Sequence, residues 1–106
     1  MPKYLIQANY VGEGIKGLLK EGGSSRRAAI EKLAVSLGGS IESVYYAFGD
    51  TDIFIIVDMP DHASMTAVAL VAGASGAVTV KTTVLMTPED VDEAAKKTPN
   101  YRPPGQ

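Results

Sequence analysis

The chain has 106 residues, 45% of them hydrophobic, and ten Lys and Arg against twelve Asp and Glu leave a net charge of -2. That is enough apolar material for one core and no second domain, and it provides no field for gathering nucleic acid or an anionic membrane. Zero cysteines exclude disulfides, thiolate metal sites and cysteine nucleophiles, and one histidine excludes a histidine-cluster metal site within one subunit.

The amino-terminal stretch Met1-Pro2-Lys3-Tyr4-Leu5-Ile6-Gln7 turns polar before an apolar signal region forms, so cytoplasmic residence is expected. Tyr4 to Val11 reads as a strand, with Tyr4, Ile6, Ala8 and Tyr10 on one face and Leu5, Gln7, Asn9 and Val11 on the other. A glycine-rich loop follows, carrying Gly12, Gly14, Gly17, Gly22 and Gly23, and Ser24 or Ser25 is the expected cap of the next helix. In that helix Ile30, Leu33, Ala34 and Leu37 form an apolar stripe opposite Arg26, Arg27, Glu31 and Lys32, and Gly38-Gly39 ends it.

Two runs of β-branched and aromatic residues, Ile41–Phe48 and Ile53–Asp58, flank Gly49-Asp50-Thr51-Asp52 and predict a hairpin with both faces buried. Pro60 closes it and Asp61 is placed to cap a helix over His62–Ala74 that is apolar all round and therefore expected to be covered all round. No charged residue stands between Asp61 and Lys81, yet Ser64, Thr66, Gly73, Ser75, Gly76 and Thr79 interrupt the run, so no membrane span is expected. Val78–Met86 alternates as a fourth strand, Thr87-Pro88-Glu89-Asp90 opens a short helix to Lys97, and a Pro-rich tail fills 98–106.

The order strand, helix, strand, strand, helix, strand predicts an α+β, ferredoxin-like βαββαβ unit with a four-stranded antiparallel sheet over residues 1–97. Both helices then cover one sheet face. The bare face predicts a homo-oligomer, a dimer or larger ring, with sheets packed in an α/β-barrel-like way. In the usual strand order Gln7 and Asn9 stand beside Lys81 and Thr83, and with Tyr46 these are the candidate ligand-binding residues, facing a partner across an apolar cavity.

Other motifs have plainer readings. Gly12-Glu13-Gly14-Ile15-Lys16-Gly17 matches a dinucleotide-binding fingerprint, but the expected cap comes later, Glu13 repels phosphate and the next strand folds back as a hairpin, so the reading is a turned connection. Ser24-Ser25-Arg26-Arg27 has the residues of a phosphate cradle and reads as a solvated helix start. Asp50 and Asp52 belong to turn chemistry, with Asp58 a strand away, so no metal or cofactor is expected. His62 reads as a first-turn surface histidine, and Tyr45, Tyr46 and Phe48 as core or interface aromatics.

Gly14-Ile15-Lys16, Leu37-Gly38-Gly39, Ser43-Val44-Tyr45, the turn Gly49 to Asp52 leading into Ile53–Val57, and Pro60-Asp61 together resemble the GYD-domain family, from Tyr4 to about Ala95. The resemblance implies a small α/β fold without an assigned biochemical role. The tyrosine of the family motif is replaced here by Thr51. The expected function is an oligomeric small-molecule-binding, sensing or assembly domain. The alternative is a small dimeric α/β-barrel enzyme, an isomerase or cofactor-poor oxygenase, using Lys81, Tyr46, Asn9 or His62.

Overall fold

The computed structural model describes residues 1–106. Four strands, β1 (Lys3–Tyr10), β2 (Ser40–Tyr46), β3 (Ile53–Asp58) and β4 (Val78–Leu85), form one antiparallel sheet in the order β2-β3-β1-β4. Four helices, α1 (Glu13–Glu21), α2 (Gly23–Ser36), α3 (His62–Ala74) and α4 (Pro88–Ala95), complete the chain. The fold is mixed α+β with an open sheet.

Strand β1 lies between β3 and β4. Tyr4, Ile6 and Ala8 are buried on the face that α2 and α3 cover, opposite Val57, Ile55 and Ile53 of β3. With Ala34 of α2, Met65 of α3 and Met59 they make a core of nine residues. Removing a fully buried side chain of this kind from water contributes about 1.5–3 kcal/mol each.

The strongest local signals behave as expected. Asp61 accepts a hydrogen bond from the Ser64 backbone N–H at 2.7 Å and starts α3 at His62, and that bond holds the Asp61 carboxyl below the usual carboxylate range. Thr87 and Asp90 form a complete capping box with Pro88 in the first turn of α4. Gly38, at φ 83°, ends α2 by passing chain N–H groups back to Ala34 and Val35.

Three expectations are corrected. The glycine-rich segment is a helix, α1, with Ile15, Leu18 and Leu19 at helical spacing, and α2 begins at Gly23 behind Gly22, so neither Ser24 nor Ser25 caps it. Ser24 and Ser25 instead lie inside the first turn, Arg26 reaches Glu21 and Arg27 pairs with Glu31 at 3.0 Å. Second, β2 stops at Tyr46 and carries a bulge between Ile41 and Ser43. The extra residue, Glu42, turns Ile41 and Val44 to the same face. Phe48 lies beyond the strand, fully exposed, and Tyr45 points outward. Third, α3 is not covered all round: Leu70 and Val71 face outward, exposed.

Helix α1 owes its position to a close approach. Gly14 is buried where α1 meets the Ala77 backbone, and a Cβ there would collide with the Ala77 carbonyl. Gly17, one turn on, has open space beside it. Gly14→Ala should therefore cost about 1–3 kcal/mol, whereas Gly17→Ala should gain about 0.5–1 kcal/mol as an ordinary helix-interior replacement. Urea unfolding of the two variants tests this; equal midpoints would mean that α1 does not press on Ala77.

Candidate functional site

The sheet face away from the helices presents alternate residues of every strand. Gln7 stands directly across from Lys81 on one side and Phe54 on the other, Leu5 lies between Thr83 and Ile56, and Asn9 faces Thr79. Gln7, Asn9, Thr51, Thr79 and Lys81 line an open depression of about 390 Å³. Beside it Leu5, Phe54 and Ile56 are half-buried with no helix above them. Thr83 sits on the same face one row further along, outside the depression.

Asn9 holds the turn as well, together with Asp52. The Asp52 backbone N–H donates to Asn9 Oδ1 at 2.9 Å, and Asp52 Oδ2 accepts from the Tyr10 backbone N–H at 2.9 Å. The turn Gly49–Asp52 is thereby tied to the end of β1, which sets Thr51 against the depression.

Tyr46 does not belong to this group. It pairs across from Ile53, whose side chain is in the core, so the two-residue period of the strand puts Tyr46 on the helix side. There its hydroxyl donates to the Gly23 carbonyl at 3.0 Å, and partial burial raises its phenol above the ordinary value. Asp50, Asp52 and Asp58 do not converge either: Asp52 serves the turn, while Asp58 binds Lys3 at 2.9 Å. No group of three or more His, Asp or Glu side chains is arranged to hold a metal ion.

On the helix side, a second depression of about 250 Å³ lies at the start of α3 beside β4, bordered by Tyr4, His62, Thr66 and Thr82. The Tyr4 hydroxyl is hydrogen-bonded to His62 Nδ1, and the two rings meet edge to face with centroids 5.7 Å apart. Burial pushes the Tyr4 phenol up, with the Asp61 carboxylate adding to the shift. A phenol so held stays protonated at neutral pH and can donate. His62 is exposed in the first turn of α3, as expected; its pairing with Tyr4 is not legible in the sequence, because the two are 58 positions apart and nothing local links them.

A third space, an apolar cleft of about 110 Å³, opens between α2 and α3 above the sheet. Its lining includes Ile30, Leu33, Val68, Ala69 and Ala72, and Arg26 is the one non-hydrophobic residue among them.

The glycine fingerprint is partly realised, since Gly12, at φ 52°, directly precedes the first residue of α1. Every neighbouring strand pair is antiparallel, however, so the parallel crossover that dinucleotide sites use is absent. Gly14 answers to close contact with Ala77.

No helix is long and apolar enough to cross a membrane. No curated protein and no solved structure matches the chain. The family model described as GYD domain matches residues 4–95, which takes in the sheet from Tyr4 onward, the turn with Thr51 and the helices through α4, and the chain therefore belongs to the GYD-domain family.

Proposed function

We propose that the chain is a homo-oligomeric domain that binds a small anionic molecule on its bare sheet face, in a space that a second copy closes. The carrying observation is the cross-strand pair Gln7 and Lys81, set with Asn9, Thr51 and Thr79 around one depression. Lys81 makes no ion pair within the chain, so its charge is available to a ligand. The apolar residues around it favour a dimer with its sheets face to face in an α/β-barrel-like arrangement: Leu5, Phe54 and Ile56 are half-buried without a cover, and Tyr45 is 70% exposed. Two such faces in contact leave the polar depression as a ligand space walled by both copies. Sensing or assembly would follow from ligand-dependent closure of that contact.

The Tyr4 and His62 pair favours a second reading, an isomerase-like enzyme. A protonated phenol backed by an imidazole at the edge of a cavity is a proton-transfer arrangement, and Thr66 and Thr82 supply hydroxyls for orienting a polar substrate.

Native mass spectrometry of the full chain, recorded gently and then after denaturation, tests the first reading. The expected result is a symmetric oligomer with a reproducible extra mass that Lys81→Met loses while keeping its subunit number. An unchanged extra mass in Lys81→Met would place the ligand elsewhere, and a monomer at micromolar concentration would remove the sheet-to-sheet contact.

Alkaline titration tests the environment of the Tyr4 phenol. Its ionisation is raised above the usual value near 10, so the unfolded chain loses this proton first. The stability contributed is present in full below about pH 10 and is lost as pH rises through the folded-state value. Absorbance at the phenolate band should show a late phase, to which Tyr46 also contributes, that Tyr4→Phe diminishes; an unchanged profile would mean that Tyr4 is not held as described.

A further inference from the structure

The chain is far more extended than a domain of its length should be. A compact chain of this size has a radius of gyration of about 13 Å, but this one has 17.0 Å and a longest dimension of 57 Å. The excess lies in the carboxy-terminal arm, Met86–Gln106, where every residue is exposed. Helix α4 has no buried residue, and Met86, Val91 and Tyr101 are 68%, 53% and 70% exposed. Only Met86 and the capping Thr87 separate β4 from α4. The completed capping box fixes how the chain leaves the sheet edge.

An eight-residue helix does not hold itself in water, because propagation over two turns cannot repay nucleation. Something must cover it. Val91, Ala94 and Ala95 fall at i, i+3 and i+4, while Glu89, Asp90, Asp92 and Glu93 occupy the remaining surface. The chain itself offers the complement, for the cleft between α2 and α3 is apolar within and has Arg26 at its rim, with Arg27 the next residue; both are held in exposed pairs, to Glu21 and Glu31, of the weak surface kind that a second carboxylate can join or displace. None of the four α4 carboxylates is in an ion pair. Measured from the end of β4, two linking residues and two helical turns carry α4 out to about 19 Å, and the tail beyond it can add about 36 Å when extended, so the receiving cleft must lie within about 20 Å of the donor's β4.

We infer that the arm of one copy crosses to a second copy and lays α4 over the second copy's α2–α3 cleft, its carboxylates toward Arg26 and Arg27. This rests on the homo-oligomeric reading above and adds a reciprocal exchange to it, with each copy giving an arm and receiving one. It also accounts for the exposed Leu70 and Val71 on α3 and Val35 on α2, which the incoming Tyr101 and prolines would cover.

The absence of cysteine gives a clean test. Single variants Val91→Cys on the arm and Ala72→Cys in the cleft are mixed, subunits are exchanged and the mixture is mildly oxidised. A disulfide forms only where Cα atoms come within about 7 Å. The expected product is the mixed disulfide of the two variants, several-fold above either homodisulfide and identified by its mass, with Val68→Cys as a second acceptor position should Ala72→Cys misfold. Native mass spectra of the same mixture separate the two proposals. An oligomer without the mixed disulfide at either position overturns the arm exchange and leaves the sheet-face oligomer standing. A mixture of monomers overturns both, whereas a double variant carrying both cysteines that closes its disulfide within a single chain overturns the arm exchange alone.

Discussion

Strand β1 is hydrogen-bonded along both edges, to β3 through Lys3–Ala8 and to β4 through Lys3–Tyr10, and its register governs both faces of the molecule. A slip of one residue would turn Tyr4, Ile6 and Ala8 out of the core and put Gln7 and Asn9 into it, a cost that no rearrangement of the helices could offset. The same constraint fixes the chemistry. Odd-numbered positions of β1 meet Phe54, Ile56, Lys81 and Thr83 on the bare face; even-numbered ones meet Ile53, Ile55 and Val57 on the covered face. Lys3 closes the end of this arrangement, donating to Asp58 of β3 and to Glu42 at the bulge of β2, and these two bonds hold its ammonium pKa above the ordinary value.

What was legible in the sequence were the features whose cause lies within a few residues. Asp61 and Thr87 announce α3 and α4 because a side-chain oxygen capping an N–H two or three positions on is a local event. The β-branched run Ile53–Asp58 announces a strand for the same reason, but not its sidedness: the pattern predicts both faces buried, whereas only Ile53, Ile55 and Val57 are, with Phe54 and Ile56 half-buried. Helix α1 was hidden because three of its determinants oppose its propensity: Gly12 before it and Gly14 and Gly17 within it. Its cause is tertiary, the contact of Gly14 with the Ala77 backbone 63 positions away. Ile15, Leu18 and Leu19 carried the one local signal.

The site was legible to a similar degree. Strand order and period together brought Gln7, Asn9 and Lys81 to one depression, since both rules act on backbone geometry. Tyr46 was misplaced because its face depends on pairing with Ile53, which a pattern of aromatic residues on both sides of β2 does not reveal. The bulge at Glu42 compounds this, shifting the alternation in the middle of the strand without a glycine or proline to mark it. Thr51 gained its place at the depression only through the hydrogen bonds that Asn9 and Asp52 make across the turn.

The two candidate sites share the strands β1 and β4 but no residue. Gln7 and Asn9 face one side of the strand and Tyr4 the other, so a ligand in one depression cannot touch the polar groups of the other. They also differ in what a second copy would do to them. Sheet-to-sheet contact would close the Lys81 depression and leave the Tyr4–His62 depression, at the start of α3, open to solvent. An exchanged arm would bear on the helix side instead, near the cleft that shares Met65 and Ala69 with the Tyr4–His62 depression. Assembly would therefore reach each site by a different route, through the sheet face for Lys81 and through α3 for His62. Dependence of an activity on the arm would point to His62, and dependence on the residues of the bare sheet would point to Lys81.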